Sequence, residues 1–256
     1  MLWAIIWDVI WSYYEWWKVR DKDSFELFKP WCTFTDDTVL TIAIANAILD
    51  NSDDYNKYIK QYALNYPRAW FSDRFYFWVE WKIENWVSHW NWAPMRISTI
   101  WIYFNDLKTI KSEVIKAVSG SHNSKEAIDW AYCIASLVYL AKIWKSKEEI
   151  KDFVINNFDY DINKTVQNLK DTKKWFDMSS KWTVPKAIIC FLESNSYEDC
   201  IRNCISIWWD TDTIACMAWW IAEQFYWIPE EIKNEVMNYL NDNFKSIISK
   251  FNNTIL

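Results

Sequence analysis

A chain of 256 residues with a single glycine, Gly120, has almost no position where the backbone can turn left-handed without strain or approach another backbone closely. At ordinary usage of about 7%, a chain this long carries roughly 18 glycines. Tryptophan occurs 22 times. The excess of one residue matches the deficit of the other, which points to tryptophan standing where glycine belongs.

Local sequence tests this idea. In YLAKIWKSKEEIKDF an apolar helix is expected to end at Ile143, and Ser146 with Glu149 forms an S-x-x-E capping box for the next helix. Trp144 then falls just past a helix end, where a left-handed residue is usual; glycine accepts that conformation and a bulky residue resists it by about 1 kcal/mol or more. Trp227 repeats the pattern, ahead of Ile228, Pro229, Glu230 and Glu231. Trp3, Trp7, Trp11 and Glu15 recur every fourth residue, on one slowly drifting helical stripe. As tryptophan the stripe is a slab of indoles; as glycine it admits another backbone, with Glu15 at its end. Two readings follow. One is a genuinely Trp-rich protein with aromatic platforms for sugars. The other is UGA decoded as tryptophan in a lineage that reads it as glycine, and it accounts for the helix stops. Trp78 and Trp175 stand apart, because nothing near them asks for glycine.

The rest of the chain reads as helix. DTVLTIAIANAIL (37–49), DDYNKYIKQYALNY (53–66), a long apolar helix capped by Ser124, and SYEDCIRNCISI capped by Ser196 are all expected helical. TVPKAIICFLES is expected to start at Thr183 as cap, with Pro185 in the first turn. TDTIACMAWWIAEQFY and an amphipathic pair from Glu230 to Phe251 complete the set. No sustained apolar/polar alternation, hairpin signal, repeat or linker interrupts it. The expectation is one all-α domain over residues 1–256, a compact orthogonal helical bundle.

Apolar residues make up 52% of the chain and charged residues 24%, ample for a core. A net charge of −6 without a basic run disfavours nucleic acid or an anionic membrane as partner. The apolar N-terminus lacks a basic n-region and carries Asp8 and Glu15, so neither a signal peptide nor a membrane span is expected. Six scattered cysteines without CxxC spacing, and only two histidines, disfavour a Cys/His zinc site and suit reduced thiols. A soluble, cytoplasmic monomer is expected.

Chemistry concentrates in two acidic clusters. FTDDT places Thr35, Asp36 and Asp37 at one helix start; DTDT places Asp210, Asp212 and Thr213 at another, with Trp208-Trp209 before it and Trp219-Trp220 after. Asp and Thr are ordinary N-caps, and acids complement a helix N-terminus. Both clusters are denser in carboxylate than capping requires. Their hard oxygens suit Mg2+ or Mn2+ if the clusters meet. Ser88-His89-Trp90-Asn91-Trp92, read with glycine at 90 and 92, becomes a flexible loop able to approach a phosphate closely; otherwise it is a polar turn. His122 is a helix-entry residue or a ligand contact.

With glycine restored, GAIIGDVIGSYYE, FTDDT, SHGNGAPMR, SHNSKEAIDGA, TVPKAI and IGGDTDTIACMAGGIAEQFYGIP resemble the ADP-ribosylglycohydrolase family, in the family's order, over roughly residues 3–231. The resemblance implies a compact all-α domain with two Mg2+ ions, Mn2+ being the alternative. The reaction would be cleavage of the bond between the anomeric carbon of ADP-ribose and a protein side chain or a small metabolite. It implies Thr35, Asp36, Asp37, Asp210, Asp212 and Thr213 as metal ligands, and Glu15, Asp36 and Asp212 as catalytic carboxylates. Ser88, His89, Trp90, Asn91, Trp92 and His122 would hold diphosphate and ribose. An inactive ADP-ribose-binding or structural member is the alternative. Thr99 departs from the family, which usually has proline there.

Overall fold

The computed structural model describes residues 1–14, 23, 26–80, 93–171, 179–207, 211–226 and 229–255, with the backbone alone at residues 3, 211, 212 and 255. Helices come first as α1 (Leu2–Tyr14), α2 (Asp36–Leu49), α3 (Tyr55–Asn65), α4 (Asp73–Val79), α5 (Ser98–Tyr103), α6 (Leu107–Ser119) and α7 (Lys125–Lys142). They continue as α8 (Lys147–Asn157), α9 (Val166–Asp171), α10 (Ser180–Leu192), α11 (Tyr197–Ser206), α12 (Thr211–Phe225), α13 (Glu230–Met237) and α14 (Asp242–Ile255). A 3-10 turn, Pro94–Arg96, precedes α5. The all-α expectation holds: no strand occurs among the described residues.

Two helices are apolar on every side, and a helix of that kind belongs in the interior. In α12 every residue from Ile214 to Ala222 is fully buried, and α1, α7, α10 and α11 surround it. In α2 burial is continuous from Asp37 to Ala45, beneath α1, α3, α5 and α14. Asp36 and Asp37 open α2, and Thr211, Asp212 and Thr213 open α12, while Thr41 lies buried along α2 and Glu223 lies near the end of α12. Acids in a first turn meet free N–H groups that favour negative charge, whereas a charge buried along a helix, as Asp8 is in α1, needs polar partners from another segment.

Capping chemistry fixes many of the ends. Ser124 accepts from the Ala127 N–H, and Ser196 from the Asp199 N–H. Ser146 and Glu149 form the reciprocal box expected of them. Thr183 does not cap. α10 begins earlier, with Ser179 at its N-cap, and Thr183 lies within the helix, its hydroxyl on the Ser179 carbonyl at 3.2 Å. Pro185 is therefore interior. It forfeits only the bond that its missing N–H would have made to the carbonyl four residues back, near an end where such donors are already free. Thr99 is the second residue of α5, a first-turn position that proline also tolerates.

The helix ends bear on the tryptophan question. After α2, the Asn51 N–H reaches the Ile48 carbonyl at 3.0 Å and the Ser52 N–H reaches that of Ala47 at 2.9 Å, with Asn51 left-handed at φ 51°. After α7 the same pair recurs: Trp144 N–H to Ala141 at 3.0 Å, Lys145 N–H to Leu140 at 3.0 Å, and Trp144 at φ 62°. Both are Schellman ends, which require a left-handed residue and favour glycine or asparagine. Trp70, at φ 64°, is the other left-handed non-glycine among the described residues. Gly120 itself has φ −67°; what it supplies is room, since a Cβ there would collide with the Asn56 amide. Trp227 lies outside the described residues.

Other indoles lie in the core. Trp7 stacks on Trp11 at 5.8 Å between ring centroids and meets Trp219 edge-on at 5.0 Å, which joins α1 to α12. The indole N–H groups of Trp11, Trp101 and Trp220 are buried without an acceptor. An unmade buried hydrogen bond costs roughly 1–3 kcal/mol. Trp78 differs: it packs on Phe75, and the Lys60 ammonium sits 4.5 Å over its ring.

Trp144→Gly removes the left-handed strain on an 83%-exposed side chain that contributes little packing. It is expected to stabilise the protein by about 1 kcal/mol, or ~2–4 °C in melting temperature for a chain of this size. Asn51→Gly at the equivalent end of α2 should change the melting temperature far less. Calorimetry on the two variants checks both.

Candidate active site

The N-terminus of α2 is held by a residue of α1. Thr35 occupies the N-cap but makes no capping bond of its own. Asp8 does that work from across the helix interface. Its Oδ2 accepts from the backbone N–H of Thr35 at 2.6 Å and of Thr38 at 3.2 Å, and its Oδ1 accepts from the Thr35 hydroxyl. One turn further along α1, Ser12 Oγ accepts from the Thr33 N–H at 2.8 Å. The Cys32 thiol reaches the Ile10 carbonyl at 3.8 Å. The strand of chain 32–35 is thus strapped along one face of α1 by residues spaced four apart. Burial pushes the Asp8 carboxyl up to about 6, against the hydrogen bonds from Thr35 and Thr38 that pull it down. It is ionised at neutral pH and able to accept all three bonds.

This clamp sets out three oxygen donors. Thr35 is buried with its hydroxyl hydrogen committed to Asp8, so its lone pairs point elsewhere; Asp36 Oδ1 lies 3.4 Å from that hydroxyl oxygen. Asp36 is half-buried and Asp37 buried, both in the first turn of α2. These are hard ligands at a positive helix end, a donor set that fits Mg2+ or Mn2+.

The second cluster is described in part. Thr213 is buried in the first turn of α12. Asp212 is in the same turn, but its side chain lies outside the described residues, as do all of Asp210, Trp208 and Trp209. Glu15 and the loop Ser88, His89, Trp90, Asn91 and Trp92 also lie outside them. Among the described residues no three His, Cys, Asp or Glu side chains converge on a metal-sized site. α1 and the 3-10 turn each touch both α2 and α12, and so tie together the two helices that carry the clusters.

His122 is fully buried just past the end of α6. Its Nδ1 lies 2.8 Å from Ser121 Oγ, and Ser121 Oγ accepts from Arg96 Nη2 at 2.7 Å. Burial lowers the Arg96 guanidinium from 12.5 to about 9, which leaves it charged at neutral pH.

Three residues of this arrangement escaped the sequence reading: Asp8, Arg96 and Ser121. Asp8 did leave a signal, as a lone carboxylate inside the apolar run AIIWDVIW. A buried charge needs partners, and that need could have identified it.

An all-helical domain whose two buried helices start in acid- and threonine-rich turns defines a class before it defines a family. A solved structure described as an ADP-ribosylglycohydrolase-related protein complex shares the fold, with a TM-score of 0.73 over 99% of this chain and 95% of that one, at 16% identity. No curated protein matches the chain. The family model for ADP-ribosylglycohydrolase matches residues 8–247, and the chain belongs to that family.

Asp8→Ala is expected to destabilise the protein by about 2–4 kcal/mol, because two backbone N–H groups and a buried hydroxyl lose their acceptor together. Asp8→Asn, which keeps one acceptor oxygen, should cost less. Urea unfolding of the two variants measures the difference.

Proposed function

We propose that the protein is a magnesium-dependent ADP-ribosyl hydrolase. It cleaves the bond between the ribose anomeric carbon and an ADP-ribosylated protein side chain or small metabolite, and releases ADP-ribose. The observation that carries this reading is the α2 terminus, where Asp8 accepts a hydrogen bond from the Thr35 hydroxyl and Thr35, Asp36 and Asp37 cluster as hard oxygen donors. Family membership over residues 8–247 supports the glycosyl-hydrolase class.

Thr35, Asp36 and Asp37 would hold one side of a two-ion centre, and Asp210, Asp212 and Thr213 the other. When bound, Mg2+ or Mn2+ would supply Lewis-acid stabilisation of charge at the departing bond. The chain's own groups do the rest. Asp36, Asp212 and Glu15 are the carboxylates assigned to orient water and move protons at the anomeric carbon, as an oxocarbenium-like transition state requires. Ser88, His89, Asn91 and His122, with the backbone at 90 and 92, would hold diphosphate and ribose. Asp8 acts through Thr35 and the helix terminus, as a positioning residue.

The working form of the enzyme carries glycine at most of its tryptophan positions. Two physical facts support that: the left-handed backbone at Trp144, and the buried indole N–H groups of Trp11, Trp101 and Trp220 that lack acceptors. Glycine removes both costs and leaves α1 and α12 free to pack backbone to backbone. The six cysteines are free and buried, which suits a reducing cytoplasm. No helix among the described residues is long and apolar enough to cross a membrane.

Mass spectrometry of the native peptide spanning residues 206–231 decides the tryptophan question, since each exchange to glycine lowers the mass by one fixed step. Glycine is expected at 208, 209, 219, 220 and 227; tryptophan at all of them would overturn the reading. Hydrolysis of ADP-ribosylated substrate by native protein should stop on chelation and return with Mg2+. Asp37→Ala should cost at least about 100-fold in rate, the upper range for disturbing a metal site's supporting groups. Activity indifferent to chelation would rule out the metal-dependent mechanism.

A further inference from the structure

We infer that the rings of Phe191, Phe225 and Tyr226, with the carbonyls of Leu192 and Ser194, form a binding site for a primary alkylammonium ion, and that Lys147 fills it as the chain's own ligand. The site lies where α10 and α12 end. It is independent of the hydrolase reading.

Lys147 stands in the wrong place for its own helix. It is the first residue of α8, beside Glu148 and Glu149, at an end whose free N–H groups favour acids and disfavour a cation. Its ammonium reaches a different terminus. Nζ donates to the Leu192 carbonyl at 3.0 Å and to the Ser194 carbonyl, at the end of α10, where free carbonyls favour positive charge. α10 has no basic residue in its own last turn. A residue that breaks the rule of its own helix and satisfies that of a distant one is placed by the contacts it makes there.

Aromatic faces complete the site. Nζ sits over the rings of Phe191, Tyr226 and Phe225, at 5.1, 5.4 and 5.8 Å from their centroids. All three lie within the roughly 6 Å over which a ring face attracts a cation. The walls also hold one another without the lysine. Phe191 meets Phe225 edge-on at 5.5 Å, the Tyr226 hydroxyl donates to the Ser194 carbonyl at 2.6 Å, and Ser194 Oγ donates to the Phe191 carbonyl at 2.6 Å. Phe191 and Ser194 are buried, whereas Lys147, Phe225 and Tyr226 are half-buried, so the lysine stem enters from the surface.

Two features set the class of ligand. Ring faces select positive charge, and carbonyl oxygens require a hydrogen to accept. A quaternary ammonium meets only the first demand and an alcohol only the second. A primary ammonium meets both. None of the six residues is a tryptophan, so the site stands apart from the question of what the tryptophan codons mean.

Lys147→Ala removes the atoms of propylammonium, and the test returns them as the free ion to native protein carrying this change. Calorimetry should show the variant melting about 5–10 °C below wild type, for the loss of a charged donor and its ring contacts. Propylammonium should then raise the variant's melting temperature saturably, as a ligand of the folded state does, and leave wild type, whose site is filled, unchanged. Tetramethylammonium and n-propanol at the same concentrations should not rescue. A variant that melts with wild type overturns Lys147 as the ligand. Absence of rescue by propylammonium, or an equal rise in wild type, overturns the binding site. Equal rescue by tetramethylammonium overturns the part given to the two carbonyls. Should Lys147→Ala fail to fold, NMR of wild type decides: the ε-methylene protons of Lys147, assigned by their loss in Lys147→Arg, are expected upfield of those of the other lysines. An unshifted signal overturns the site. Chelation and turnover test the hydrolase reading separately, so either can fail without the other.

Discussion

The Asp8 carboxylate is the interaction on which the rest of the site depends. Helix α2 is enclosed on all sides, so its N-terminal N–H groups have little access to water, and the residue at its own N-cap does not satisfy them. A carboxylate from α1 supplies the acceptor. The arrangement costs a buried charge, visible in a carboxyl raised to about 6. In return, the Thr35 side chain is released from capping its own helix. The Thr35 hydroxyl turns to Asp8 instead of folding back onto its own helix. Had Thr35 capped α2 itself, its hydroxyl would have turned toward the helix and one donor of the cluster would be gone.

The same logic explains why the acids lie where they do. α2 and α12 are both largely enclosed, and their first turns offer free N–H groups to the acids there. Two such helices are bridged by α1 and by the 3-10 turn, and their bodies form much of the core. Short turns supply further buried polar contacts. Arg96 is an example: a turn of three residues carries a fully buried cation to the end of α6.

Much of this was legible in sequence where a local rule determines the outcome. Ser124, Ser146 with Glu149, and Ser196 are caps because the backbone three residues on demands an acceptor, and nothing distant competes. Thr183 followed the same rule and failed, because Ser179 four residues earlier offers an equivalent start and Pro185 tolerates either. The all-α class was legible from apolar patterning, and the FTDDT and DTDT clusters from composition. Which partners Asp8 and Ser121 take was not, since those contacts cross interfaces between segments distant in sequence: Asp8 meets a terminus 27 residues on, and Ser121 meets an arginine 25 residues back. A one-dimensional reading sees an acid in an apolar helix and a serine in a polar turn. It cannot see which neighbours lack a partner.

The paired ends of α2 and α7 have a consequence beyond this fold. They share their hydrogen bonds and their handedness, yet one is occupied by Asn51 and the other by Trp144. The surrounding chain sets the dihedral, and the residue written at that position has no say in it. A map of backbone handedness is therefore an independent reading of what a codon means. In genomes known only as DNA, a translation table that assigns one codon wrongly would show itself as a bulky residue recurring at positions whose geometry suits a residue without a side chain. Folding then acts as a proofreader of the genetic code.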